Sequence, residues 1–186
     1  MPGFFTWCRN GTGIGNIQSK SSKFGGGGLV YYGGMMASFA GFFLYTKKVR
    51  LPFLAAADFT IPYIALTHAF GRIGCFLNGC CFGKPCALPW AVRFPGGIAA
   101  VHPVQIYEAL FNFGLFVLLR GRYTRRHFAG EITALYLMMY PTGRFVFEFL
   151  RGDQPPWLGS LTLHQLLSLA YWGAGFALYG ILRRSR

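Results

Sequence analysis

Five long apolar runs, separated by more polar segments, constrain the fold of this chain more than any other feature. They occupy residues 25–46, 51–70, 104–119, 132–150 and 161–182. An apolar helix of about 20 residues is long enough to cross the hydrocarbon core of a bilayer. We therefore expect an all-α, polytopic helical membrane protein with about five transmembrane spans. An N-terminal loop at 1–24 would precede a membrane domain at 25–186.

The composition and charge favour a membrane protein over a soluble one. Charged residues make up 12% of the chain, against about 25% in ordinary globular domains. The net charge of +13 would suit a nucleic-acid partner, but the basic residues stand in short clusters between apolar runs. That pattern is typical of loops that anchor a membrane protein, so no nucleic-acid partner is expected. The first 24 residues lack an apolar core, so no cleavable secretion signal is expected either.

The basic clusters also predict an orientation. The segments 47–50, 120–126 and 183–186 hold ten of the 18 basic residues. With five spans they fall on one side of the membrane, which basic loops make the cytoplasmic side. A central Gly-rich motif, His102 and the segment 144–153 then share the outer face. Separate pieces of polar chemistry thus converge on one face.

The central motif follows the second apolar run and continues into a Gly- and Pro-rich outer loop at 78–103. Glycine permits tight backbone folding and close approach of N–H groups to a ligand. Arg72 at the end of an apolar run is costly unless it faces a partner or a polar cavity. These features suggest an anion site at the membrane boundary.

Two arginines are the candidate anion ligands. A guanidinium presents a planar fork of donors that fits a phosphate, and Arg72 and Arg144 are the two basic residues expected within the outer half of the membrane. The alternative is that each pairs with a buried carboxylate and only holds helices together. Arg144, Glu148 and Arg151 are spaced to share one helix face, either around a functional cavity or as a simple intrahelical ion pair.

The start of the third run carries three further candidates. Glu108 could be a base or a cation ligand, but neutralisation of Arg72 or Arg144 is the preferred role. His102 is a candidate base, because a neutral imidazole exists near pH 7; capping of the helix start is the commoner role. Tyr107 lies one helical turn after Pro103.

Four of the five cysteines crowd the motif in the order Cys75-x4-Cys80-Cys81-x4-Cys86. Zinc sites favour C-x2–4-C spacing, so zinc fits this pattern poorly. On an outer face, disulfides are preferred over a metal site, and a metal site over a redox-active pair. A nucleophilic thiol is the weakest option, because no base stands at a fixed spacing. No metal and no cofactor are expected.

Several blocks of this sequence resemble those of a known family. Gly-Arg-Ile-Gly at 71–74, Phe-Leu-Asn-Gly at 76–79 and Leu-Pro-Trp-Ala-Val at 88–92 resemble the signature of bacterial prolipoprotein diacylglyceryl transferases. Further blocks agree in order at 27–34, 102–108 and 143–153. The resemblance runs from about residue 25 to the C-terminus.

The resemblance implies an activity, partners and a location. The family transfers the diacylglyceryl group of phosphatidylglycerol to the lipobox cysteine thiol of a prolipoprotein, forming a thioether and releasing glycerol phosphate. It implies a multi-pass protein of the bacterial inner membrane, with its active face toward the periplasm or outside and with the prolipoprotein signal peptide as partner.

The resemblance also implies residue roles. Arg72 and Arg144 would hold the phosphate, Glu148 would orient Arg144, and Tyr32 or His102 would handle the proton. The substrate-binding residues would be Gly71, Gly74, Asn78, Gly79, Tyr107, Glu108 and Arg151.

The sequence departs from the family pattern at identifiable points. Tyr32 stands where the family commonly has a histidine, Cys75 where it often has asparagine, and Cys80 where it often has an acid. Family members also have one or two more membrane segments before the block at 27–34, so we expect a short or truncated start. A non-catalytic relative that binds lipid or lipoprotein is the alternative reading.

Overall fold

The computed structural model describes residues 28–95, 97, 99–151 and 161–184. This described part is all-helical, without strands, and confirms the all-α prediction. Its helices are α1 (Gly28–Lys48), α2 (Phe53–Leu77), α3 (Val104–Tyr123), α4 (Glu131–Leu150) and α5 (Leu163–Arg184). The predicted loop at 1–24 lies outside the described residues. The outer loop at 78–103 is irregular where described, with isolated bridges from Val101 to Pro85 and Val92.

Helix α2 is longer than the sequence predicts. The second run was expected to end at Phe70, with a tight Gly-rich segment after it, but the helix continues to Leu77. That expectation is wrong because no proline interrupts the segment, and the apolar residues of 73–77 continue the run. Two helical glycines cost about 1 kcal/mol each. In an apolar setting that cost is offset, because the helix satisfies the backbone's own hydrogen bonds.

Helices α2 to α5 pack as two pairs. Helix α2 packs mainly against α3, and α4 packs mainly against α5. The two pairs are joined by contacts of α4 with α3 and, to a smaller extent, with α2. The core consists of Ala65, Leu115, Leu119 and Ile132. Gly143 on α4 lets α3 approach closely, because a Cβ there would collide with the ring of Phe111.

The outer surface of these four helices is strongly apolar. Helices α2 and α5 are, among the described helices, the two that are long and apolar enough to cross a membrane. Only 28% of the most apolar stretch of α2 and 17% of that of α5 are buried inside the protein. Most of the surface of these stretches therefore faces outward, as a lipid-exposed surface would. Large exposed apolar side chains include Phe59, Phe70, Leu77, Leu110, Val117, Val146, Phe149, Trp172, Phe176 and Ile181.

At one end of the bundle, the buried carboxylate of Asp58 fixes the start of helix α4. Asp58 on α2 is fully buried and accepts hydrogen bonds from Gly130 N at 2.7 Å, Thr133 N at 2.9 Å and Thr133 Oγ1 at 2.8 Å. It thereby caps the N-terminus of α4 from a neighbouring helix. The ion pair between Arg122 Nη2 and Glu131 Oε1, at 2.5 Å, lies at this same end.

Helix α1 and the turn that follows it, through Leu51, form a separate compact unit. The helix ends on Lys47 and Lys48, and Lys47 Nζ lies 4.6 Å from the centre of the Phe43 ring. The glycine-rich start of the first run is helical from Gly28 onward.

Candidate functional site

Four charged residues from three helices meet at the opposite end of the bundle. Arg72 comes from the last part of α2, Glu108 from the start of α3, and Arg144 and Glu148 from the last part of α4. We call Arg72, Glu108, Arg144 and Glu148 the arginine–carboxylate cluster. Their convergence confirms the prediction that the two arginines lie near one another.

Glu108 is the centre of this cluster. Its Oε2 lies 2.6 Å from Arg72 Nε, and its Oε1 accepts a hydrogen bond from Arg144 Nη1 at 3.1 Å. The side chain of Glu108 is only 5% exposed. A buried carboxylate is stable here because it faces two guanidinium groups. The predicted pairing of Glu108 with the two arginines is therefore confirmed.

Arg144 is held from both sides. While Nη1 contacts Glu108, Nη2 lies 3.0 Å from Glu148 Oε2. Glu148 is itself buried, and its Oε1 accepts a hydrogen bond from Thr162 Oγ1 at 2.9 Å. Both terminal nitrogens of Arg144 thus lie within ion-pair distance of a carboxylate, and the contact of Nη1 with Glu108 is also a hydrogen bond, whereas Glu148 Oε2 accepts none. The predicted pairing of Glu148 with Arg144 is confirmed.

Arg72 is engaged differently. Its only ion pair with the described residues uses Nε, and the terminal Nη1 and Nη2 have no hydrogen-bond or ionic partner among them. The side chain is 24% exposed, more than that of Arg144 at 14%. Arg72 therefore presents two N–H-bearing nitrogens at the edge of the cluster, held in direction by Glu108.

The buried face of α3 supports the cluster with amides that sequence reasoning did not single out. Gln105 is fully buried and donates from Nε2 to Cys80 O at 2.7 Å. Asn112 is 4% exposed and donates from Nδ2 to Glu108 O at 2.7 Å. With Glu108 they follow the i, i+3, i+7 spacing of one helix face. That spacing, in an otherwise apolar run, is the sequence signal that could have identified them.

The outer loop is tied to the bundle beside the cluster. Gly83 N donates to His102 O at 2.9 Å, and Lys84 N donates to Leu150 O at 2.8 Å. A Cβ at Gly83 would lie 2.6 Å from Val104 Cγ2 and 2.8 Å from both His102 Cβ and Leu150 O. Glycine is required at this position because the loop is wedged between the start of α3 and the end of α4.

Two candidate residues lie where the loop meets α3. Tyr107 accepts a hydrogen bond at its hydroxyl from Trp90 Nε1 at 2.7 Å. The ring of His102 lies 6.3 Å from that of Tyr107, and its Nδ1 is buried without a hydrogen-bond partner. Each thus keeps chemical capacity: a hydroxyl proton on Tyr107 and a ring nitrogen on His102.

The predicted headgroup-binding residues divide into two kinds. Gly71 and Gly74 lie inside α2, where amides bond to carbonyls four residues earlier, so the expectation that their N–H groups face a ligand is wrong. A Cβ at either would meet nothing within 4 Å, so open space lies beside both. Asn78 ends the helix and is exposed. Gly79 follows with φ +67°, a conformation that suits glycine.

The two remaining predicted site residues are Arg151 and Tyr32. Arg151 is 4% exposed but follows α4 in an extended conformation, with φ −85° and ψ 139°. The prediction that it shares the helix face of Arg144 and Glu148 is therefore wrong, because the helix ends at Leu150. Tyr32 lies in α1, and its side chain is outside the described part of the chain.

The four described cysteines are free thiols, against the preference for disulfides. The Sγ atoms of Cys80 and Cys81 stand 3.7 Å apart, in contact but unbonded, and Cys86 is not part of the group that Cys75 forms with them. A hydrogen bond with Cys75, and then burial, raise the pKa of the Cys81 thiol above its ordinary value. Cys81 is therefore protonated near neutral pH.

Fold and site together are those of a helical membrane protein with a buried arginine–carboxylate cluster at one end of its bundle. The family model described as prolipoprotein diacylglyceryl transferase matches residues 15–181. The chain belongs to the prolipoprotein diacylglyceryl transferase family, as the sequence blocks predicted.

Individual relatives agree with this assignment. The chain is 39% identical over 149 residues to the phosphatidylglycerol–prolipoprotein diacylglyceryl transferase of Clostridium tetani, which covers 77% of this chain and 60% of the relative. It is 41% identical over 154 residues to the protein of the same name from Finegoldia magna, and this match covers 82% of this chain and 61% of the relative. Against transferase 2 of Clostridium perfringens the identity is 35% over 163 residues, covering 84% and 63%. The chain thus spans about three fifths of the length of these relatives.

Proposed function

We propose that this protein transfers the diacylglyceryl group of phosphatidylglycerol to the lipobox cysteine thiol of a prolipoprotein. The observation that carries the proposal is the asymmetry of the two arginines. Arg144 is fixed between two carboxylates, whereas Arg72 keeps two terminal nitrogens without a described partner. A phosphodiester needs such a planar pair of donors.

The arginines also fit the charge that develops in the reaction. The substrate thiolate attacks the glyceryl carbon next to the phosphate, so a C–S bond forms as the C–O bond breaks. The phosphate changes from a monoanionic diester to a dianionic monoester as glycerol phosphate leaves. Arg72 binds the oxygens that gain this charge, so its contacts strengthen toward the transition state, and Arg144 adds positive potential behind it.

The thiol proton must leave before or during attack. His102 is the candidate that the described geometry supports best, because its Nδ1 is buried, lacks a partner and lies next to the start of α3. Tyr32 is the second candidate, from its position in the sequence. The nucleophile is the substrate's own cysteine, so the reaction uses no thiol of this chain.

The membrane arrangement that we propose follows from the two ends of the bundle. The arginine–carboxylate cluster lies at one end, and the basic residues of 120–126 and Arg183 lie at the other, close to the start of α4. Basic ends stay in the cytoplasm. All five helices would then cross the bacterial inner membrane, and the cluster would open toward the periplasmic side.

The test is a transfer assay with the purified chain in vesicles that contain phosphatidylglycerol and a lipobox peptide. We expect thioether formation, and we expect Arg72→Ala to reduce the rate by about 10²–10³-fold, as loss of a donor to a developing oxyanion does elsewhere. Arg120→Ala is the matched control: it removes an exposed arginine at the far end of α3 and should leave the rate unchanged.

Two results would contradict the proposal. Transfer that survives Arg72→Ala unchanged would remove Arg72 from the reaction. Binding of phosphatidylglycerol without any transfer by the wild-type chain would favour a lipid-binding relative over an enzyme.

A further inference from the structure

Three thiols that the transferase reaction does not use converge at the end of α2. Cys75 lies in its last turn, and Cys80 N donates to Cys75 O at 3.1 Å as the chain turns back. Positive φ angles at Gly79 (+67°) and Cys81 (+65°) complete the turn. As a result, the Sγ atoms of Cys75, Cys80 and Cys81 all lie within 4.8 Å of one another. We call these three residues the thiol cluster.

The separation of the sulfurs fits a shared metal ion. A Zn–S bond of about 2.3 Å places two sulfurs of a tetrahedral site about 3.8 Å apart. The Cys80 and Cys81 sulfurs are 3.7 Å apart, and the widest possible separation in the cluster is 4.8 Å. Rotamer changes that move sulfur by less than about 1 Å would therefore bring all three to one ion. The C-x4-C-C spacing looked unsuited to zinc only because the turn at Gly79 and Cys81 was not foreseen.

Burial, hydrogen bonding and backbone conformation around the thiol cluster all favour a ligand-binding site. Cys80 and Cys81 are each 8% exposed, and the fully buried Gln105 fixes the Cys80 carbonyl through a 2.7 Å hydrogen bond. A non-glycine residue at φ +65° is strained, and such strain collects at functional sites. Cys86, the remaining described cysteine, lies outside the cluster and bonds through its backbone N–H to Ala100 O.

We propose that Cys75, Cys80 and Cys81 bind one Zn²⁺ ion as thiolates, with water or another donor in the fourth position. Each thiol releases its proton to solvent as its Zn–S bond forms. Soft thiolates select zinc or monovalent copper. Three thiolates with Zn²⁺ carry one net negative charge, whereas with monovalent copper they carry two. The smaller charge is less costly in a mostly buried site.

The ion would fasten the outer loop to the end of α2. Helix α2 carries Arg72, and the loop carries Trp90, which bonds to Tyr107. Zinc would therefore fix the position of the loop over the arginine–carboxylate cluster without taking part in the transfer. The proposal goes beyond the transferase function and stands or falls independently of it.

The test uses the full chain, purified under reducing conditions in detergent, in a Cys8→Ser background so that only the four described cysteines remain. We expect one zinc per chain, and we expect Co²⁺ to give a thiolate-to-metal charge-transfer band with the strength of three thiolates. Loss of a partner outside the metal's own ligands already lowers metal affinity by about 10–100-fold. Cys75→Ser and Cys80→Ser should each lower it by more than that.

Cys86→Ser is the matched control, because it removes a thiol from the same loop but outside the cluster. It should keep the full affinity and the full cobalt band. The spectrum of the unmodified cluster tests the proposal even if a serine variant fails to fold. A reduced chain that binds no zinc, or a Cys75→Ser protein with unchanged affinity, would each overturn it.

Discussion

Glu108→Gln removes the one carboxylate that two guanidinium groups share. The change keeps the shape of the side chain but takes the formal charge of the arginine–carboxylate cluster from zero to plus one. Removing one partner of a buried ion pair costs about 3–5 kcal/mol. We expect the lower value, about 3 kcal/mol, because Arg72 is 24% exposed and Arg144 keeps its contact with Glu148. For a chain of this length that corresponds to a melting temperature lower by about 6–12 °C.

The same reasoning predicts how lipid changes this result. A site with one extra positive charge should gain more from an anionic lipid than the wild-type site does. We therefore expect phosphatidylglycerol to restore part of the lost melting temperature, and zwitterionic phosphatidylcholine to restore none. The assay is thermal unfolding of the purified chain in detergent–lipid mixtures of each kind.

Glu131→Gln is the control for this experiment. Glu131 is also a buried carboxylate, 1% exposed and paired with Arg122 Nη2 at 2.5 Å, but it lies at the opposite end of the bundle. Its variant should lose stability without selective rescue by phosphatidylglycerol. Equal rescue of both variants, or an unchanged melting temperature for Glu108→Gln, would refute the assignment of Glu108 as the counter-charge of an anion site.

Three further changes test other contacts. Arg144→Lys should slow transfer by about tenfold or more, because one ammonium cannot keep both the hydrogen bond to Glu108, worth about 1.5–3 kcal/mol, and the ion pair with Glu148; an unchanged rate in the vesicle assay would contradict this. Asp58→Ala should lower the free energy of unfolding by about 2–4 kcal/mol, because three donors lose their acceptor, and a melting temperature equal to wild type would argue against the cap. Gly83→Ala should cost about 1–3 kcal/mol by overpacking, measured by the same melts. Gly114→Ala, inside α3 and with nothing within 4 Å of its Cβ position, should instead raise the stability by about 0.5–1 kcal/mol.

The limits of α3 and α4 were predicted well because residues near their ends give strong boundary signals. Val104 follows Pro103 directly, and the fourth run ends at Leu150 in both sequence and structure. Proline and charge are strong boundary signals that act locally. The continuation of α2 to Leu77 was missed because glycine indicates a turn in water. In an apolar run the demand for internal hydrogen bonding outweighs that preference.

The members of the arginine–carboxylate cluster were predictable from the sequence, but the pairing of individual guanidinium nitrogens with carboxylates was not. Charges in apolar runs are costly, so Arg72, Glu108 and Arg144 were expected to find one another. Which nitrogen of each guanidinium faces a carboxylate depends on how the helices are rotated about their axes. Spacing does not fix that rotation. The cap that Asp58 gives to α4 was missed for a related reason, because it joins residues more than 70 positions apart.

The bare backbone of α2 on either side of Arg72 has a consequence for how a substrate arrives. Gly71 and Gly74 leave a gap with no neighbouring atom where side chains would stand. In the proposed membrane arrangement, a phospholipid diffusing within its leaflet would bring its headgroup to the guanidinium through that gap, while both acyl chains stay in the hydrocarbon core. Delivery would then be a search in two dimensions, and no lipid would need to be lifted into water.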